Sequence, residues 1–216
     1  MIIHNLDSSN SVLNHFISEI RDVEIQKDSM RFRRNIERIG EILCYELSKE
    51  LDFSDHTVKT PLGDKIIPLV SDKMVLCSIL RAGLPLHQGI LNYFDKIENA
   101  FISAYRHHTS PEAFDIKVEY LASPSLDNKI LILADPMLAT GSSLSAVYEI
   151  LKTLGKIREI HIVAVIAATE GIDHVKSHFP ENTHLWVATV DNELNTYGYI
   201  VPGLGDAGDL AFGNKL

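Results

Sequence analysis

The sequence predicts an α/β fold, an open and mostly parallel sheet flanked by helices. Three observations carry that expectation. Residues 73–80 (KMVLCSIL), 129–134 (KILILA), 159–168 (EIHIVAVIAA) and 183–190 (THLWVATV) are almost wholly apolar, and such strands need cover on both faces. The segments between them show helical spacing of apolar residues, and strand–helix–strand alternation favours parallel pairing. Apolar residues form 45% of the 216-residue chain, enough for the core of one domain.

Taken in order, residues 10–20 read as a short amphipathic helix with a polar start. A longer helix follows, with Phe32, Ile36, Ile39, Leu43, Leu47 and Leu51 spaced three or four apart and Ser29 as its expected N-cap. Thr60–Leu69 reads as a turn and an edge segment. After the strand at 73–80 comes RAGLPLHQGILNYF, a loop leading into a helix, and then a strand at 99–105. Residues 106–115 lack periodicity and read as a loop; IKVEYLA after them reads as a hairpin or edge strand. The helix after 129–134 carries Leu144, Val147, Leu151 and Leu154, and GIDHVKSHF forms a short helix ending before Pro180. The expected organisation is one domain over 1–216. It divides into an N-terminal helical and edge region (about 1–70), an α/β core (about 71–190) and an irregular Gly-rich tail (about 191–216).

Composition narrows the function. Twenty Lys+Arg against 29 Asp+Glu give a net charge of −9, which speaks against binding a nucleic-acid backbone. The dense basic group Arg31, Arg33, Arg34 and Arg38 lies on a helix and reads mainly as a solvated face or subunit contact. Cys44 and Cys77 sit among apolar neighbours and read as buried free thiols. The start MIIHNLDSSN is not a signal peptide, and no apolar run reaches the roughly 18 residues of a membrane span. The expectation is a cytoplasmic protein with no membrane partner. Ten histidines include no HExxH spacing, and Trp186 reads as core.

Chemistry concentrates at strand tips. Residues 135–143, DPMLATGSS, follow a buried strand and precede a helix, where unpaired amide groups attract anions. Ala139, Thr140, Gly141, Ser142 and Ser143 fit such a loop, with Gly141 allowing close approach and the hydroxyls adding donors. There is no Lys beside the glycine as in GxxxxGK[ST], and no GxGxxG after a strand. Asp135 suits a ribose, a metal-bound water, or a cap on its own turn. Arg81 follows the strand at 73–80, where a charge is expensive unless paired or at the open end. Small Ala82 and Gly83 beside it leave room for a phosphate. Arg106 ends a third strand. Anion sites at neighbouring strand tips suggest a ligand with two separated phosphates.

With those residues in view, DPMLATGSS resembles the 5-phospho-α-D-ribose 1-diphosphate (PRPP) signature of the type I phosphoribosyltransferases. Its wording, with ILRAGL (79–84) and GYIVPGLGDAGD (198–209), resembles the uracil phosphoribosyltransferases. The resemblance implies an enzyme that makes UMP and diphosphate from uracil and PRPP, with Mg2+ as cofactor. It assigns the donor to Asp135, Pro136, Met137, Leu138, Ala139, Thr140, Gly141, Ser142 and Ser143, with Arg81 and Arg106 on the diphosphate side. It assigns uracil to Ile200, Gly205, Asp206 and Ala207, with Asp206 also near the donor and its metal. Arg81, Arg106 and Asp206 are the implied catalytic residues. It further implies a homodimer or higher homo-oligomer, a flap at 106–122, and GTP as a candidate effector, since GTP activates some relatives. Two departures stand out: HHTSPEAFD where the family has an acidic stretch, and Leu210 where it has Arg. Purine and orotate enzymes show adjacent acidic residues before the loop, whereas here Pro136 follows Asp135. The alternative of a non-enzymatic, donor-sensing regulator of pyrimidine genes fits poorly with the charge of −9 and the intact tail.

Overall fold

The computed structural model describes residues 1–108 and 114–215, with side chains described outside 104–117. A short strand β1 (Ile2–Asn5) leads to α1 (Leu13–Arg21) and the long α2 (Ser29–Leu47). The hairpin β2 (Phe53–Thr60) and β3 (Gly63–Val70) follows. Next come β4 (Met74–Leu80), α3 (Gly83–Leu91), β5 (Glu98–His108), β6 (Phe114–Ala122), β7 (Ile130–Ala134), the two-residue β8 (Met137–Leu138) and α4 (Ser142–Leu151). The chain continues through β9 (Glu159–Ala168), α5 (Thr169–His178), β10 (His184–Asp191), β11 (Glu193–Leu194), β12 (Ile200–Val201) and α6 (Ala207–Phe212).

The main sheet runs β1-β10-β9-β7-β4-β5-β6, with β8 beside β9. Pairing is parallel except for β6 against β5. The pleat sends alternate residues to opposite faces. On β4, Leu76 joins a layer with Phe32, Ile36, Ile39 and Leu43 of α2 and Leu86 of α3. Val75 and Cys77 join the other layer, with Leu144 and Val147 of α4 and Val175 of α5. Both faces are covered, and that is why these strands read as unbroken apolar runs.

Several boundaries differ from the sequence reading, each for a local reason. Asp28 rather than Ser29 caps α2, its carboxylate accepting from the Met30 and Arg31 amides at 3.0 and 3.1 Å. The four residues of β1 form a sheet edge with Ile2 and Ile3 exposed, so they carry no readable pattern. The segment expected as a turn and edge is the second half of the β2–β3 hairpin. It lies off the main sheet and is exposed almost throughout, so nothing imposes an apolar period. Arg106, His107 and His108, expected in a loop, belong to β5, and Phe114 and Asp115 to β6; the ladder pairs Arg106 with Ile116. IKVEYLA lies in β6, an edge strand as expected. The tip of the expected flap, 109–113, and the side chains of Arg106, His107 and His108 lie outside the described residues.

Trp186 is core: it stacks on His4 at 3.7 Å between ring centroids and donates from Nε1 to His161 Nδ1 at 3.1 Å. Cys44 and Cys77 are free and buried, and burial pushes both thiols up to about 12. The basic group on α2 is engaged within the chain. Arg31 pairs with Glu19, Arg34 with Glu37, and Arg38 donates to Asn35. Arg33 donates to the Ala211 carbonyl at 2.6 Å. Among the described residues, no helix is long and apolar enough to cross a membrane.

Candidate active site

A cavity of about 1040 Å³ opens at the carboxyl ends of β4, β5 and β7, and the tail after β11 forms its other wall. From β4 and the turn after it come Ile79, Leu80, Arg81 and Ala82; the Leu80–Arg81 peptide is cis. Ser103 comes from β5, and Asp135, Met137, Ala139 and Ser143 from the segment between β7 and α4. Tyr197, Gly198, Tyr199, Ile200, Gly205, Asp206, Ala207, Gly208, Asn214 and Lys215 complete the lining. Four segments far apart in sequence therefore meet around one volume.

The 135–143 loop is shaped from behind. The Pro136 carbonyl accepts from the Val165 and Ile166 amides, and Leu138 is buried in the core, so neither lines the cavity. Asp135 Oδ1 accepts from the Met137 amide at 3.2 Å, which caps its own turn, and the residue also lines the cavity. Thr140 donates to Ser142 Oγ at 3.2 Å, beside Ala139 and Ser143 on the wall. Gly141 has φ +79° and opens α4 without a side-chain cap. It needs to be glycine twice over, because a Cβ there would also lie 2.9 Å from His174 Cδ2. Burial, then the neighbouring His178, pushes the His174 imidazole below its usual range. Gly171 on α5 allows the same close approach: a Cβ on it would sit 2.2 Å from the Ala139 carbonyl oxygen.

The tail is held by side chains. Arg21 donates to both carboxylate oxygens of Asp191 at 2.8 Å and to the Gly203 carbonyl at 3.0 Å. Asp191 in turn accepts from the Gly203 amide at 2.9 Å. Asp206 caps α6, accepting from the Asp209 amide at 2.9 Å, and also lines the cavity. Leu210, the departure from the Arg that the resembled family has there, packs against the core. Arg81 donates from Nη2 to Asp209 Oδ1 at 3.0 Å and to the Gly213 carbonyl at 3.1 Å.

Of the predicted site residues, Arg81, Asp135, Met137, Ala139, Ser143, Ile200, Gly205, Asp206 and Ala207 all face the cavity. The sequence reading assigned no role to Ser103, Tyr197, Tyr199, Asn214, Lys215 or Asp209. Among the described residues, no group of three or more His, Cys, Asp or Glu side chains is arranged to cage a metal. Asp135 and Asp206 at the wall suit instead a Mg2+ held by one or two carboxylates plus substrate phosphates and water.

Comparison with known proteins agrees with this geometry. The family model for uracil phosphoribosyltransferase matches residues 8–214. A uracil phosphoribosyltransferase of Porphyromonas gingivalis is 52% identical over all of this chain and 99% of its own. One from Pyrococcus furiosus is 38% identical over 93% of this chain and 85% of its own. A solved protein from Aquifex aeolicus superposes with a TM-score of 0.87 at 29% identity, covering 98% of each chain. A hypoxanthine phosphoribosyltransferase from Staphylococcus aureus shares the fold at a TM-score of 0.52 and 17% identity, over 86% of this chain and 83% of its own. With its motifs gathered at one cavity and its whole length matched by these relatives, the chain belongs to the uracil phosphoribosyltransferase family.

Proposed function

We infer that the chain transfers the 5-phosphoribosyl group from PRPP to N1 of uracil, giving UMP and diphosphate. One observation carries the reading: the 135–143 loop, Arg81 and the 198–209 tail surround a single cavity. The donor's 5-phosphate is assigned to the α4 start, where Gly141 and the hydroxyls of Thr140, Ser142 and Ser143 lie beside the first amides of the helix. Asp135 is assigned to the ribose hydroxyls. The C1–oxygen bond breaks with its electron pair leaving on diphosphate, and positive charge grows on the ribose. The Arg81 guanidinium offsets charge on the leaving group. Arg106 takes a second part in that role, supported by its place on β5 beside the cavity strand β4. Asp206 and Asp135 are the carboxylates that would hold a Mg2+ arriving with the donor, and the ion would offset charge on the leaving group.

Uracil is assigned to the tail. Backbone groups of Ile200, Gly205 and Ala207 read its edge, a carbonyl accepting from N3–H and an amide donating to O4. As N1–C1 forms, N1 gives up its proton to the departing diphosphate, and the alignment of N1 with C1 is the main task. No covalent nucleophile is needed. A role in cytoplasmic pyrimidine salvage and a homodimer or higher homo-oligomer belong to the same reading, with GTP a candidate effector. The exposed apolar side chains of the β2–β3 hairpin, Leu62, Ile66 and Leu69, support self-association. Light scattering that gave only the 24.1 kDa monomer at micromolar concentration would remove the dimer.

The test of the activity is direct. Purified protein with uracil, PRPP and Mg2+ is expected to form UMP and diphosphate. Gly141→Val should abolish donor binding by calorimetry with circular dichroism unchanged. Donor titrations that match the unsubstituted protein would sink the loop assignment.

A further inference from the structure

The hydrogen bonds of Arg81 go to the tail. Nη2 is held between Asp209 Oδ1 and the Gly213 carbonyl, while Nε is buried with no partner among the described residues. One nitrogen of the guanidinium is thus fixed by the chain, while Nε carries a donor that no described residue uses. Asp209 does not line the cavity that Arg81 lines. It sits one turn along the helix that Asp206 caps, and its own amide is the donor in that cap. The groups pack around bare backbone: a Cβ on Gly208 would stand 3.1 Å from Asp206 Oδ1 and 3.8 Å from Arg81 Nη2.

The Arg81 and Asp209 side chains are 37% and 32% exposed, so this ion pair adds little to fold stability. Its geometry does something else: it ties the cation on the diphosphate side to the helix on the base side. We propose that Asp209 is a positioning residue for Arg81, holding the guanidinium from the base-binding tail so that its remaining donors meet the leaving diphosphate. The inference rests on the role given to Arg81 above. It has a mechanistic consequence. Docking of the tail and alignment of the leaving-group cation become one event, so the bond to diphosphate is attacked only when the base wall is in place.

The experiment is a double-mutant cycle in the full-length enzyme. Asp209→Ala, Asp209→Asn, Arg81→Ala and the Asp209→Ala/Arg81→Ala double variant are assayed for UMP formation, varying donor and uracil separately. Asp209→Ala should raise the donor KM about tenfold and lower kcat, while the uracil KM stays within about twofold. Asp209→Asn should retain part of the function, because the amide oxygen still accepts. In the Arg81→Ala background, Asp209→Ala should cost nothing further. Helix α6 stays anchored in each variant through the bond from Arg33 to the Ala211 carbonyl, so melting temperatures should match the unsubstituted protein. An additive loss in the double variant would overturn the proposal, as would a rise in uracil KM alone. A fall in donor KM would overturn it too, since Asp209 would then compete with diphosphate for Arg81. Full activity of Arg81→Ala would instead remove the role of Arg81 itself and distinguish that failure from this one.

Discussion

The segment at 135–143 leaves β7 and is stitched to the sheet at once. Two amides of β9 donate to the Pro136 carbonyl, and β8 pairs alongside β9. The tail from Asn195 to Lys215 has no strand in the main sheet. Its turn is held by Arg21 and Asp191, and its helix by Arg33. The two walls of one cavity are therefore held by different physics. Backbone bonds and packed glycines set the donor wall, so a change behind it should propagate. A few charged side chains set the base wall, so it should fail at single residues.

The largest expected effect tests the base wall chemically. Cytosine replaces O4 by an amino donor and loses the N3 proton. Against fixed backbone groups it makes two mismatches of roughly 1–3 kcal/mol each. Discrimination in kcat/KM of about 10⁴ in favour of uracil is expected, as for sites built around hydrogen-bonding substrates. 5-Fluorouracil keeps both carbonyls and N3–H and should react. Comparable rates for cytosine and uracil would mean that the wall is not rigid.

Removing a pin should come next. Arg21→Met leaves Asp191, whose side chain is 9% exposed, without its cation. Breaking such a buried pair costs about 3–5 kcal/mol. The Gly203 turn should loosen, raising the uracil KM more than the donor KM. Denaturant unfolding with the two KM values measures both; an equal rise in the two KM values would erase the contrast between the walls.

The donor wall has a smaller counterpart in Gly171→Ala, at a residue that does not line the cavity. Its Cβ would meet the Ala139 carbonyl oxygen at 2.2 Å, so α5 or the loop must move. Overpacking of this kind costs about 1–3 kcal/mol. The donor KM should rise and the uracil KM hold. A variant with unchanged donor KM would show that the loop is not set from behind.

How much of this was legible follows the same division. The donor wall is a contiguous string on an apolar strand, so both its place and its residue types could be read from DPMLATGSS. The tail motif could be read as a string, but its pins could not. Arg21 meets Asp191, 170 residues away, and nothing in either neighbourhood marks them as partners. Asp209 lay within the quoted motif, yet its bond to Arg81 spans 128 residues. Arg33 looked like one of four surface cations until its carbonyl partner at Ala211 was in place. The need for glycine at 171 arises from the approach of another segment, which no local pattern encodes.

A final prediction concerns the strand beneath the donor wall. His161 on β9 accepts from Trp186 Nε1 through Nδ1, so its proton sits on Nε2, facing Glu159 Oε1 at 2.8 Å. Burial, only partly opposed by Glu159, pushes this imidazole down to about 4, with His184 and His4 adding to the fall. In the unfolded chain the ring titrates near its usual value of about 6.5. Between those values the unfolded state binds more protons, so stability rises with pH. The contribution is complete above pH 6.5 and is lost as pH falls toward 4. Between pH 6.5 and 5.5 the loss should be about 1 kcal/mol for this group. His4, His87 and His174, also lowered first by burial, act in the same direction. Urea unfolding at pH 7.5, 6.5 and 5.5, followed by Trp186 fluorescence, measures the slope. His161→Gln removes the titrating ring and should flatten part of the slope, leaving the share of the other three. An acid response identical to that of the unsubstituted protein would separate the sheet under the donor loop from the pH dependence and assign that dependence to the other histidines.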